Sequence, residues 1–210
     1  MSIITSIPKK FTIPFADNTE EKSINQTLKD RRLIFLFGEL TEKRSLSICK
    51  QLTYHATVKN CREDVTMFIQ SPGGGIDELF SILSIIETVP YKLNIVACGQ
   101  AFSAAAILLM CGTGVRFAAK HATIMIHSVS MTGMEDKSTA EMTLEAEVMK
   151  YFQKKLNKLI VQKTNITRNE LKEILLSNLD CYFTPKQSLE RGIVDKILTT
   201  NELEKILKGT

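Results

Sequence analysis

The sequence is poor in the features on which many functional assignments turn. The five cysteines, Cys49, Cys61, Cys98, Cys111 and Cys181, are odd in number and never spaced C-x-x-C. That excludes a fully paired disulfide frame and a thiolate zinc site, and it reads as reduced thiols in a cytosol-like compartment. No apolar run is long enough to cross a bilayer. The most apolar stretch, Ala101 to Met110, is soon followed by Gly112 and Gly114. The opening "MSIITSIPKKFTIPF" lacks the apolar segment of a secretory leader. Net charge is only +4. The basic clusters Lys9-Lys10, Arg31-Arg32 and Lys154-Lys155 have no interleaved aromatics, which argues against a nucleic-acid partner. There is no internal repeat and no low-complexity tract. The expectation is a soluble, cytoplasmic, single-domain protein with no metal or cofactor, and 44% of its residues are available for a core.

What is present has a clear order. Residues 1–30 are polar and broken by Pro8 and Pro14, which predicts a mobile arm. "RRLIFLFGEL" predicts a buried strand. "EKRSLSICKQLTYHA" predicts a helix with Leu46, Cys49 and Leu52 on one face. "DVTMFIQ" predicts a second buried strand running into "SPGGG". "DELFSILSIIETV" predicts a helix with Leu79, Ile82, Leu83 and Ile86 on one stripe. "YKLNIVACG" predicts a third strand and "SAAAILLMC" a short buried helix. "VRFAA" and "HATIMIHS" predict two more strands. This alternation implies an α/β fold with a parallel sheet and crossover helices. A long amphipathic helix follows over "STAEMTLEAEVMKYFQKKLNKLIVQKT", with Leu144, Val148, Phe152, Leu156 and Leu159 at helical spacing. Its apolar residues extend beyond one stripe, which implies a partner surface. "TRNELKEILLS" carries a Thr167/Glu170 capping box. Thr184 caps a further short helix, with Pro185 first inside it and Gly192 past its end. "IVDKIL" predicts a closing strand.

Ser103, in "GQAFSAAAILLMCGTG", lies where a strand ends and a buried helix begins. Two readings stand: a serine that caps the helix, or a nucleophile on a sharp turn beside unpaired backbone amides. "SPGGG", residues 71–75, is either a tight strand-to-helix turn or a loop whose amides stabilise an oxyanion. It lacks the G-K-[ST] ending of a phosphate loop. Only three histidines exist. His55 falls in a polar helical tail and is expected to be solvated, and His121 falls in a turn. His127 ends an apolar strand, where catalytic groups of parallel sheets gather; standing alone it would read as a core histidine. Asp180, among Leu179, Cys181, Tyr182 and Phe183, is a candidate orienting acid or a turn residue. Asp195 is its rival.

Together these motifs resemble the proteolytic subunit of the Clp protease, ClpP, over about Arg32 to Leu198. "SPGG" resembles the family's glycine turn, "GQAFSAAAILL" its nucleophile segment and "IMIH" its histidine strand end. "DCYFTPKQSLERGIVDKI" resembles its closing acid segment. The resemblance implies a ClpP/crotonase-like fold of stacked strand-strand-helix repeats with a protruding handle near residues 128–178. It implies Ser103 as nucleophile, His127 as general base and Asp180 as orienter, with oxyanion amides at Gly74 and Ala104 and Gly73 beside them. It also implies heptameric rings stacked through the handle, a Clp-type ATPase that unfolds substrates, and peptide hydrolysis in an enclosed chamber.

The chain departs from the family pattern in places. Ser128-Val129-Ser130-Met131 stands where Gln-Pro and glycines are usual, and Asn178 and Leu179 stand where an Asp-Arg pair is usual. The stretch between Ser103 and His127 is one residue short. Rival readings are a ring subunit without activity that joins an active paralogue, a crotonase-type acyl-CoA enzyme, and a Ser-Lys peptidase drawing on Lys120 or Lys137.

Overall fold

A computed structural model describes residues 18–130, 138–176 and 180–208. Asn18–Asp30 (α1) precedes the strand Leu33–Phe37 (β1), the helix Glu42–Thr57 (α2) and the strand Val65–Ser71 (β2). Ile76–Ile86 (α3), Leu93–Phe102 (β3), Ala104–Met110 (α4), Arg116–Ala118 (β4) and Thr123–Ile126 (β5) follow. Thr139–Lys163 (α5), Arg168–Leu176 (α6), Cys181–Phe183 (β6), Pro185–Glu190 (α7), Lys196–Ile197 (β7) and Thr200–Lys208 (α8) complete the order.

The sheet runs β1-β2-β3-β4-β7, all parallel. Its centre is β3, and this strand divides its partners. Ile95 to Ala97 pair with β4, whereas Gln100 to Phe102 pair with β5. β6 then adds antiparallel to the far side of β5. The strands β2 and β3 are buried on both faces because helices cover both. On one face α2, α3, α4 and the end of α5 form the large core around Ile69, Leu79, Leu93, Ile107 and Leu156. On the other face a thinner cluster of Leu33, Phe68, Val96 and Phe117 lies under Leu28 of α1 and Leu203 and Ile206 of α8.

Several sequence expectations need correction. The arm expected over residues 1–30 is helical from Asn18 and reaches the thinner core cluster through Leu28; the arm's first 17 residues lie outside the described ones. β1 is an edge strand, so Phe35 and Phe37 face outward, 42% and 49% exposed, while Ile34 and Leu36 are buried. The stripe of α2 is Ser45, Ile48, Leu52 and His55, one position round from the expected face, and Leu46 is exposed. His55 is therefore buried, not solvated. The segment "IVDKIL" contributes only the two residues of β7, and the chain goes on into α8. At Thr167 the amide of Glu170 donates to the threonine hydroxyl, but the Glu170 carboxylate turns to Arg191 and does not close the box. The expected stripe of α3, the buried α4 and the Thr184 cap with Pro185 and Gly192 are all present.

Candidate active site

Sheet register assembles the site. Phe102 of β3 pairs with Met125 of β5, and the Ser103 amide donates to the Met125 carbonyl at 2.8 Å. Ser103 and His127, the residues that follow the last of each strand, therefore leave the sheet close together. Ile126 pairs with Cys181 across the antiparallel ladder to β6, which sets Asp180 opposite His127. Side chains far apart in sequence meet because two strands end where a third begins.

The geometry separates the two readings of Ser103. It stands at the N-cap of α4, yet its side chain makes no capping hydrogen bond. Its hydroxyl lies 2.7 Å from Nε2 of His127. Its backbone is in the left-handed half of the map, at φ 54° and ψ −123°. Arg32 is the other non-glycine residue with positive φ among those described. Such a conformation in a residue with a side chain costs on the order of 1–3 kcal/mol and persists where surrounding packing imposes it.

The candidate acid, Asp180, is held more loosely. Nδ1 of His127 and Oδ1 of Asp180 are 3.7 Å apart, beyond hydrogen-bond length, and the Asp180 side chain is 46% exposed. Its other oxygen accepts from the Tyr182 hydroxyl at 3.1 Å. That bond is the main reason the Tyr182 hydroxyl titrates above its usual value, with burial and the Asp180 charge adding to it. Asp195, the alternative acid, is committed elsewhere. It accepts from the Arg116 guanidinium at 2.5 Å and 3.0 Å and from the Arg116 amide at 2.8 Å. Burial pushes the Asp195 carboxyl up, but these bonds outweigh it and hold the group below its ordinary value.

The glycine turn closes the site from β2. The Gly73 amide donates to the Ser71 hydroxyl, so it is already occupied. The amides of Gly74 and Ala104 have no acceptor among the described residues. Gly73, at φ +99°, packs so close that a Cβ there would lie 2.8 Å from Cβ of Ser103 and 3.1 Å from the Ala104 nitrogen. Gly74, at φ +148°, presses against the Leu40 carbonyl, with which it forms a parallel bridge. A cavity of about 110 Å³ opens beside these groups, with Leu79, Ile107, Ile126 and Leu156 among its apolar walls.

Two contributors were not foreseen from sequence. Tyr182 shares the face of Asp180 because residues two apart on a strand point the same way, a signal that was readable once β6 was known. Gln153 of α5 accepts from the Val129 amide at 2.7 Å, fixing the segment after His127. Nothing local marks that glutamine. Met131, Lys137, Asn178 and Leu179, each considered from sequence, lie outside the described residues.

The sequence model of the family described as Clp protease matches residues 16–201. The chain belongs to the Clp protease family. It is 28% identical over 179 residues to the ATP-dependent Clp protease proteolytic subunit 1 of Corynebacterium jeikeium (strain K411), a match covering 85% of this chain and 93% of that relative. The Clp protease match includes Ser103, His127, Asp180 and the glycine turn, and the mixed α/β architecture is that of the ClpP/crotonase-like fold. The protein is a ClpP-type peptidase. Among the described residues no helix is long and apolar enough to cross a membrane.

Proposed function

We propose that the chain is a serine endopeptidase that hydrolyses peptide bonds of unfolded proteins through an acyl-enzyme. The carrying observation is the Ser103 hydroxyl, which leaves its capping role unfilled and bonds to His127 at 2.7 Å. In this mechanism the Ser103 oxygen attacks the scissile carbonyl as its proton passes to Nε2 of His127. His127 then gives that proton to the leaving amine. Water attacks the acyl-enzyme by the same route in reverse and frees Ser103. Asp180 stabilises the charged imidazole and fixes its orientation. The amides of Gly74 and Ala104 receive the oxyanion, each worth roughly 3 kcal/mol to the transition state. By kinship with a proteolytic subunit of an ATP-dependent protease, the chain works in the cytoplasm in heptameric rings. These enclose a chamber fed by a Clp-type ATPase unfoldase; no membrane or nucleic acid takes part.

The test pairs labelling with turnover. A fluorophosphonate should label the wild type, and Ser103→Ala should abolish both labelling and cleavage of a small fluorogenic peptide. Unchanged cleavage in Ser103→Ala would refute the assignment. A second reading, a weakly active subunit that joins an active paralogue in mixed rings, draws on the 3.7 Å gap between His127 and Asp180. Assaying the chain alone and then mixed with the paralogue separates the two, since the second reading requires a gain on mixing.

A further inference from the structure

Beside the cleft at Ser103 lies a larger groove of about 720 Å³ between α5 and α6. Ser128 and Gln153 line both spaces, so the groove begins where the cleft ends. Gln153 stands at the divide and is held on both sides. It accepts from the Val129 amide and donates to Oδ1 of Asn157, each at 2.7 Å. Val161, Leu171 and Leu175 supply the groove with apolar wall. Lys154, Lys158, Arg168 and Lys172 stand along it, all exposed, and among the described residues no carboxylate lines it. Among the described residues none of these cations enters an ion pair. Of the two acids on α6, Glu170 is engaged by Arg191 at 3.0 Å, and Glu173, exposed, is not among the residues that line the groove.

A row of like charges around an apolar trough is unfavourable by itself, and a ligand of opposite charge relieves it. We infer that this groove binds acidic side chains of the peptide whose scissile bond lies at Ser103. It selects substrates with aspartate or glutamate a few residues from the cleavage point, on the side that runs past Ser128. The inference rests on the peptidase reading for its geometry. The charge of the groove makes it separately testable.

The experiment uses the full, assembled chain and fluorogenic peptides that share the residues at the scissile bond. They carry acidic, amide or lysine residues at matched flanking positions on either side. Acidic peptides should show a kcat/KM about three- to tenfold above the amide series at low ionic strength, a modest gain because exposed pairs are individually weak. The advantage should vanish near about 0.5 M salt, where screening reaches across only a few ångströms. The double variant Lys158→Glu/Lys172→Glu should reverse the ranking, favouring lysine peptides.

Equal rates for acidic and amide peptides at both salt levels would overturn the inference. So would a double variant that keeps the original ranking but changes sedimentation mass, which would make the groove an interface between copies. Binding of the same peptides to Ser103→Ala, read by fluorescence anisotropy, separates this inference from the peptidase reading. Salt-sensitive preference for acidic peptides without any wild-type turnover sustains the groove and sinks the peptidase. Turnover without preference does the opposite.

Discussion

Ser103 keeps its bond to His127 at the cost of an unfavourable backbone, and Gly73 leaves room for it. With a Cβ at Gly73 only 2.8 Å from that of Ser103 and 2.7 Å from the Phe102 carbonyl, no flexible group is there to yield. Gly73→Ala should therefore displace the serine and cut kcat by about 100-fold or more, as small misplacements of reacting groups do. The melting temperature should fall as well, because alanine resists positive φ. Kinetics and calorimetry on one preparation check both. His55 offers a second residue-scale outcome. Burial, then the charges of Arg32 and Lys29, bring its pKa from the ordinary 6.5 down to about 4, and its Nδ1 is buried without a partner among the described residues. Between those values the unfolded chain binds the extra proton, so stability is complete above about pH 6.5 and falls as pH drops toward about 4. Urea midpoints across that range should decline in the wild type and decline less in His55→Phe. Four of the cysteines are poorly placed to act as thiolates. Burial raises Cys49, Cys98 and Cys181, and drives Cys111 up to about 11.

At the scale of elements, the decisive object is β3, whose second half abandons β4 for β5 and so brings two strand ends together. α5 supports that junction from behind through Leu156 and Ile160, both buried. Leu156→Ala should cost about 2–5 kcal/mol in urea unfolding, the range for an aliphatic truncation in a core. Much of this arrangement was legible. Apolar runs marked β2, β3 and β5, and the period of α3 named its buried residues without error. Ser103 and His127 were nameable because each follows such a run, whereas Asp180 stands before the short β6 and was named from its apolar neighbours. Other parts were illegible for physical reasons. β6 is three residues long, too short for any alternation to register, and its pairing with β5 is a long-range event. β1 has an unbroken apolar sequence but lies at the edge, where nothing in the chain announces an open side. The α2 stripe was misplaced by one position because Ser45 and His55 are buried polar residues, and pattern reading discards those. α8 was missed although its start carried a signal, since the Glu202 amide donates to the Thr199 hydroxyl at the spacing of a capping box.

For the whole molecule, the outstanding feature is how little of α5 the chain itself covers. Its later turns are packed, while Leu144 and Tyr151 are 62% and 61% exposed, with Met142 and Val148 also open. Faces of that kind are hidden in assemblies. On the proposed ring assembly, Leu144→Lys/Tyr151→Lys should lower the sedimentation coefficient and leave the circular dichroism of the chain nearly unchanged. A double variant that still sediments as the wild type would exclude this face from the contact. The groove inferred above lies on the packed end of the same helix.

The serine and the imidazole follow two strands at the centre of the sheet, whereas the Asp180 carboxylate stands just before the three-residue β6, which comes after α5 and α6 in chain order. The protein thus separates a ready pair from a tethered third. On the proposed serine mechanism and ring assembly, a dilute, dissociated subunit should still take a small electrophile at Ser103 while its peptide turnover falls. Equal loss of both on dilution would exclude that division of labour between the pair and the carboxylate.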